Sequence, residues 1–274
     1  MNEFIRLYIR KEISYMKQSQ NIIQKRRHQL LEMLYLQDFV QVVTASKILN
    51  VSELTIRRDF DLLEQKGYIT RFHGGAKLVP NSIEKTPIFE SKGNMNLLQK
   101  QKIAQYIPQF IQSKDTVFLN GGTTTLEIIH CIKNLNITII TNNAMACFAL
   151  ADGKADFIST GGEYNKRNKS YTGTLAANLI SNIYPTICIL GVNGITADDG
   201  ITTSAYSETL INKEALQRCR GKKIVVADSS KIGKTFCFSS ADIKDIDILI
   251  TDSDANSKEL KKIKEQGVQI ILAD

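Results

Sequence analysis

Seven short apolar runs recur between Thr116 and Ala273: TVFLN, ITIIT, DFIST, TICILGV, KIVVAD, DILIT and VQIILA. Segments with a helical period or polar turns separate them. A strand covered on both faces reads as a continuous apolar run, and parallel neighbours need a crossover between them, usually a helix. The pattern predicts an α/β domain with a mostly parallel sheet and helices on both faces.

The region before it has another period. Ile22, Ile23, Leu30, Leu31 and Leu34, with the basic cluster Lys25, Arg26 and Arg27, fit one amphipathic helix from Ile22 to Leu36. A second short helix fits TASKIL, Thr44 to Leu49, and Asn50 after it tolerates the left-handed backbone of a tight turn. Ser52 can cap a third helix that Gly67 ends. On that helix Ile56, Phe60 and Leu63 form the buried stripe, leaving Arg57, Arg58 and Asp61 on its flank and far side. YITRFHGGAKLV then alternates and turns at Gly74 and Gly75, as a two-stranded hairpin would. Three helices and a hairpin predict a winged helix-turn-helix.

Val79 to Asn96 holds two of the four prolines and has no period, so it reads as a linker. The expected organisation is an extension at 1–15, a winged helix-turn-helix at 16–78, a linker at 79–96 and the α/β domain at 97–274. A length of 274 residues suits two domains. No apolar run approaches the ~20 residues that cross a bilayer, and Arg6, Arg10 and Lys11 interrupt the start where a signal peptide would be apolar. The chain reads as cytoplasmic, with no membrane partner. The cysteines Cys131, Cys147, Cys188, Cys219 and Cys237 are widely spaced without a CxxC pair and read as reduced, buried thiols. His28, His73 and His130 are scattered, so no metal site and no cofactor is expected.

Residues 1–80 carry 13 Lys and Arg against 8 Asp and Glu, +5 of the net +7. A polyanion partner and a solvated surface explain that charge equally well, so the motif decides. A helix-turn-helix offers the major groove the start of its second helix, here Ser52, Glu53, Leu54 and Thr55, followed by Arg57 and Arg58. Thr55 can bond a base edge or phosphate, Leu54 can meet a thymine methyl, and the two arginines are assigned mainly to phosphates. The bland alternative pairs Arg57 and Arg58 with Asp61 as surface ion pairs worth a few tenths of a kcal/mol. The capped turn before the arginines, the wing behind them and the local charge favour DNA. His73 at the hairpin tip suits a phosphate or a bond within its own turn, and Lys77 follows on the second wing strand.

In the larger region VFLNGGTTTLEII reads strand, glycine turn, helix, with Asn120, Gly121, Gly122, Thr123, Thr124 and Thr125 at the junction. Free amides and hydroxyls at such a junction suit a phosphate, and a plain turn capped by Thr123 is the other reading. Further polar junctions follow strand ends at Thr141 to Asn143, Thr160 to Glu163, Gly191 to Ile195 and Asp228 to Gly233. In an open parallel sheet these loops can converge on one pocket. Lys213 offers a compact charge there or a solvated helical lysine.

The run Asn50-Val51-Ser52, Thr55-Ile56-Arg57-Arg58-Asp59, Leu63-Glu64, Gly67 and His73-Gly74-Gly75-Ala76 resembles the DNA-binding signature of the DeoR family of transcriptional regulators. Phe60 departs from the usual leucine, and Ala45-Ser46 from a usual Leu-Ala pair. The set GTTT, TNN, GGE, GVNGI, DDGITT and DSSKIG resembles the family's sensor domain, so the likeness spans about residues 20–255. The resemblance implies a sensor similar to ribose-5-phosphate isomerase and CoA-transferase folds. It also implies a protein that begins near Met16, binds double-stranded operator DNA, usually represses carbohydrate genes, and is released by a phosphorylated sugar. The effector residues implied are Asn120 to Thr125, Asn142, Gly162, Asn193, Glu208, Lys213 and Lys231. The family often has an aspartate at Asn120 and an arginine at Glu214.

Operator symmetry implies a homo-oligomer, a dimer or tetramer. An enzyme of the sugar-phosphate isomerase class is the rival reading, with Glu163, Asp198, Asp199, Glu208 and Asp228 as its candidate acids and bases. A regulator whose sensor no longer binds an effector is the third.

Overall fold

The computed structural model describes residues 23, 26–27, 29–31, 33–34, 37, 39–65, 67–79 and 89–274. The expected extension at 1–15, the start at Met16, Ile22, Lys25, His28, Leu36 and linker residues 80–88 lie outside them. The chain divides into two units, 1–85 and 86–274.

In the first unit a leading helical stretch, described at intervals from Ile23 to Leu34, buries Leu30, Leu31 and Leu34. Strand β1 (Val40–Gln41) runs directly into α1 (Val42–Ile48), and α2 (Glu53–Gln65) follows. Helix α1 starts two residues before the sequence expectation: Gln41 provides no side-chain cap, and the Val42 amide donates instead to Gly74 O at 2.8 Å. Asn50 takes the left-handed backbone, φ 50°. Ser52 Oγ accepts from the Thr55 amide at 3.2 Å, which caps α2. Past the end of α2, Gly67 has φ +74° and the Tyr68 amide returns to Leu63 O at 3.0 Å. Ile56, Phe60 and Leu63 are buried as the stripe required.

The wing strands are β2 (Ile69–Phe72) and β3 (Gly75–Leu78), with His73 and Gly74 as the turn, so Gly75 is a strand residue and not part of the turn. β1 adds a third strand, pairing Val40 with Ala76 and Gln41 with Gly75. Two residues of strand gave no period to read in the sequence.

In the second unit all seven apolar runs lie in one parallel sheet of order β15-β14-β12-β9-β4-β5-β6. These strands are β4 (Thr116–Leu119), β5 (Thr138–Thr141), β6 (Asp156–Ser159), β9 (Ile187–Gly191), β12 (Lys222–Val226), β14 (Ile248–Asp252) and β15 (Gln269–Ala273). Alternate residues feed two cores: Phe118, Ile140, Cys188, Leu190, Val225 and Leu249 in one, and Val117, Leu119, Ile139, Ile189, Ile224 and Ile250 in the other. A hairpin of β7 (Glu163–Asn165) and β8 (Ser170–Thr172), and a small sheet of β10 (Gly194–Thr196), β11 (Gly200–Thr203) and β13 (Phe238–Ala241), are additions the apolar runs did not announce.

Phe89–Asn94, inside the expected linker, is a helix of this unit, α3, followed by α4 (Leu97–Gln105). FESKGN has no apolar period, and tertiary bonds hold it instead: the Phe89 amide donates to Arg167 O at 3.0 Å and Lys100 Nζ to Lys92 O.

Two cysteines depart from the buried reading. Cys131 is exposed on α5 (Thr123–Ile132), whose inner face is taken by Ile128, Ile129 and Ile132, and Cys147 is exposed on α6 (Ala146–Ala149). Cys188 and Cys237 are buried and Cys219 is half-buried. His130 is also exposed.

Candidate functional sites

The start of α2 presents Ser52, Glu53, Leu54, Arg57 and Arg58 to solvent, with Thr55 half-buried. Leu54 is 58% exposed at a helix start where the core has no use for it. The ion pairs differ from those expected. Arg57 reaches back to Glu53 at 3.3 Å, both side chains 47% exposed, while Asp61 binds Arg71 of the wing. Glu64 Oε1 also accepts from the Arg71 amide at 2.8 Å, so α2 and the wing are fixed to one another by two acids. With Asp61 engaged, Arg58 has no ion pair among the described residues. His73 stands exposed at the wing tip, and Lys77 lies over the Phe72 ring at 5.9 Å. Ser52 and Thr55 share a hydroxyl contact of 2.9 Å, so both serve the cap in this structure.

The expectations passed over Asp59. Its carboxylate, 2% exposed, accepts from Arg26 Nε at 2.6 Å and Arg27 Nε at 2.7 Å. Two members of the basic cluster thus tie the leading helix to α2 rather than lie at large on the surface. The sequence signal was an acid directly after two arginines on the helix's inner flank.

In the second unit, β5 and β6 build outward on one side of β4, and β9, β12, β14 and β15 on the other. The crevice beyond the carboxyl ends of β4 and β9 is therefore the topological switch point, where open parallel sheets take ligands. The glycine junction sits there. Asn120 is buried, and its Nδ2 donates to Gly191 O at 2.8 Å and Asn212 Oδ1 at 3.0 Å, while its Oδ1 accepts from the Gly191 amide at 2.9 Å. Its side chain closes the gap between two strands that stop pairing, so it braces the pocket, with both amide protons spent on Gly191 and Asn212.

Asn142 braces the next strand end: Oδ1 accepts from the Gly121 amide at 2.7 Å and Nδ2 donates to Tyr171 O at 2.8 Å. Asn143 Nδ2 donates to Gly122 O at 2.9 Å. Thr125, fully buried, returns its hydroxyl to Asn120 O at 2.8 Å. Gly121 approaches Ser170 so closely that a Cβ would fall 2.7 Å from Ser170 Cβ. Thr123 and Thr124 open α5 half-exposed, and Asn193 Nδ2 meets Ser204 Oγ at 3.3 Å. Gly162, φ +110°, packs against Thr172 O of β8 and against Ala176 of α7 (Gly173–Ser181).

Glu208, on α8 (Tyr206–Arg218), accepts from Asn168 Nδ2 at 2.6 Å and Thr203 Oγ1 at 2.7 Å. Asn212, one turn on, shares its face. Lys213 lies five residues from Glu208, about 140° round the helix, so the residue that faces the brace is Asn212. Asp228, at the end of β12, accepts from Asn96 Nδ2 at 2.9 Å and from Ser230. Glu163 and Asp198 are exposed, and Asp199 accepts from Thr235 at 2.7 Å. The five acids of the enzyme reading share no hydrogen bond.

Around these neutral braces stands a group of cations that the expectations held only in part. Lys231 was among them, whereas Lys92, Lys100 and Arg167 were not. Burial pushes the Lys92 ammonium below the usual lysine value, with Glu208 opposing and Lys231 and Arg167 adding to the shift. Burial likewise lowers Lys100, with Lys231 and Lys92 adding to the shift and Asp228 and Glu127 opposing it. Neither Lys92 nor Lys231 has a carboxylate within salt-bridge distance among the described residues. Such a site favours an anion, since a buried cation is costly until paired. Lys92 was hidden by the linker reading, and Arg167 by its place between two short strands.

Among the described residues no helix is long and apolar enough to cross a membrane, and no three His, Cys, Asp or Glu could hold a metal.

Residues 26–82 match the family described as DeoR-like helix-turn-helix domain, and residues 95–253 the DeoR C terminal sensor domain. The chain is 30% identical over 252 residues to the HTH-type transcriptional regulator GolR of Listeria innocua, covering 91% of this chain and 98% of that one. It is 31% identical over 235 residues to the transcriptional repressor AccR of Agrobacterium fabrum, covering 85% and 91%. Ribose 5-phosphate isomerase A of Methanocaldococcus jannaschii overlays 50% of this chain and 54% of its own, with 14% identity and a TM-score of 0.37.

Proposed function

The chain belongs to the DeoR family of DNA-binding transcriptional regulators, and from that premise we propose that it represses carbohydrate-metabolism genes until a phosphorylated sugar releases it from its operator. Its relatives are regulators rather than enzymes, so the isomerase reading is set aside.

In this reading Arg57, Arg58, His73 and Lys77 clamp phosphates of double-stranded DNA, and Glu53, Leu54 and Thr55 meet base edges. Glu53 exchanges its pair with Arg57 for the groove at small cost, because an exposed ion pair is worth under about 1 kcal/mol. A homodimer or homotetramer presents paired wings to a symmetric operator in the cytoplasm.

The observation that carries the effector assignment is the set of cations at the switch-point crevice, with Lys92 and Lys231 lacking carboxylate partners among the described residues. The Gly121 amide is held by Asn142, so the amides that the opening of α5 brings to the same crevice, from Gly122 onward, are those a phosphate monoester would use. Glu208 and Asn193 are the polar groups available to sugar hydroxyls.

A labelled fragment from upstream of the protein's own gene tests the reading. Binding should weaken at least tenfold when one member of a panel of hexose and pentose phosphates is added, and not with the unphosphorylated sugar. Tight binding indifferent to every phosphate would leave a regulator without a sensor.

A further inference from the structure

We propose that Lys92 is a direct ligand for the anionic group of whatever occupies the switch-point pocket, and that α3, which carries it, passes occupancy into the linker. The inference rests on the reading above that this pocket takes an anionic effector.

Helix α3 has six residues, too few to hold itself. Three anchors fix it. At its start the Phe89 amide donates to Arg167 O at 3.0 Å. In its middle Lys100 Nζ donates to Lys92 O. Beyond its end the chain turns through Asn96, in the left-handed conformation at φ 53°, and Asn96 Nδ2 donates to Asp228 Oδ1 at 2.9 Å. Arg167 lies between β7 and β8, Lys100 on α4 and Asp228 at the end of β12, so each anchor comes from the pocket's own wall. A ligand that shifts any of these walls shifts α3 with it.

The charges show which way. Lys231 and Arg167 both act on Lys92 as like charges, and Glu208 is the acid that opposes them there. Asn168 and Thr203 each hold one Glu208 oxygen, which fixes the carboxylate in place while leaving acceptor sites on both oxygens. An arriving dianion converts this repulsion into attraction and draws Lys92 toward Lys231. Lysine supplies the compact, mobile charge that such a contact uses. The same helix begins after residues 80–88, which join it covalently to Val79 at the end of the wing strand β3. A change in where α3 is held changes where that connection starts.

The test uses the full chain with inorganic phosphate as probe, in wild type, Lys92→Gln and Lys92→Arg. Phosphate should raise the unfolding temperature of wild type, lose at least three-quarters of that shift in Lys92→Gln, and recover most of it in Lys92→Arg. Operator affinity without phosphate should agree within about twofold across the three, since Lys92 belongs to the second unit and the proposed DNA contacts belong to the first. A full shift in Lys92→Gln, or none in wild type, overturns the proposal. Should Lys92→Gln fail to fold, amine acylation of wild type reads the same contact: phosphate protects Lys92 if it is a ligand, and unchanged labelling overturns it.

The two readings fail separately. If the shift depends on Lys92 but no sugar phosphate releases the operator, the sensing role falls and the Lys92 contact stands. If sugar phosphates release Lys92→Gln from DNA as they release wild type, sensing stands and the Lys92 proposal falls.

Discussion

The side-chain amide of Asn120 and the backbone of Gly191 exchange two hydrogen bonds, 2.8 Å and 2.9 Å, across the carboxyl ends of β4 and β9. Those strands are neighbours in the sheet but lead the chain in opposite directions, so nothing in the ladder continues past them. The amide imitates one more rung and holds the mouth of the crevice at fixed width. Its third bond, to Asn212 on α8, carries that width to the helix bearing Glu208.

Removing this amide strands the Gly191 N–H and the Asn212 carbonyl oxygen in a buried place. Asn120→Ala should cost about 2–4 kcal/mol, since each orphaned polar group costs ~1–3 kcal/mol. For a unit of this size the unfolding temperature falls by about 5–15 °C. Calorimetry of the variant checks this, and a shift under about 2 °C would show that water substitutes for the amide.

Asp59 gives a contrast within the DNA-binding unit. Asp59→Ala leaves Arg26 and Arg27, 14% and 21% exposed, without their shared carboxylate. A loss of about 2–4 kcal/mol is expected, near the cost of breaking a buried pair less what partial exposure returns. Arg57→Ala breaks an exposed pair and should change stability by under about 0.5 kcal/mol. Urea unfolding of the two variants side by side separates them.

Gly75 permits the third wing strand. A Cβ there would fall on Val40 O and the Phe39 ring, where β1 meets β3. Gly75→Ala should therefore break the β1 pairing and destabilise the wing by about 1–3 kcal/mol, the usual cost of overpacking. Amide exchange at Val42, bonded to Gly74 O, should quicken with it.

The depressed lysines set a pH dependence. Burial lowers Lys92 and Lys100 in the folded state, so between their folded values and ~10.4 the unfolded chain holds more protons and stability rises with pH. An anion reverses this by favouring the charged ammonium. Phosphate-ester binding should take up a proton and weaken as pH rises toward the ordinary lysine value of ~10.4, a range in which a monoester with pKa ~6 stays a dianion. Calorimetric titration in buffers of differing ionisation heat measures the uptake, which Lys92→Gln should reduce.

The parallel sheet was legible because its central strands are buried on both faces and write themselves as apolar runs, and the exposed edge strands β6 and β15 keep enough apolar residues to be read beside them. The capped turn was legible because Asn50, Ser52 and Gly67 each meet a local backbone need. Helix α3 was not, since FESKGN owes its shape to Arg167, Lys100 and Asp228, residues far along the chain. For the same reason Lys92 was lost inside a linker, and the brace that Asn120 forms with Gly191 and Asn212 was not foreseen: those partners are neighbours brought by the fold. Arg57 and Arg58 were weighed against Asp61, but the wing delivers Arg71 to that acid first. Tertiary approach decided between two partners that helical spacing could not rank.

The most direct test of the account is binding of the full chain to its operator fragment across a salt series, with the Arg57→Ala, Arg58→Ala double variant alongside. Wild type should bind tightly with a steep loss of affinity as salt rises. The double variant should bind more weakly with a slope shallower by about 2, one unit for each phosphate contact removed. Equal affinities and equal slopes for the two proteins would contradict it, and would make the arginine pair a surface feature with no part in holding DNA.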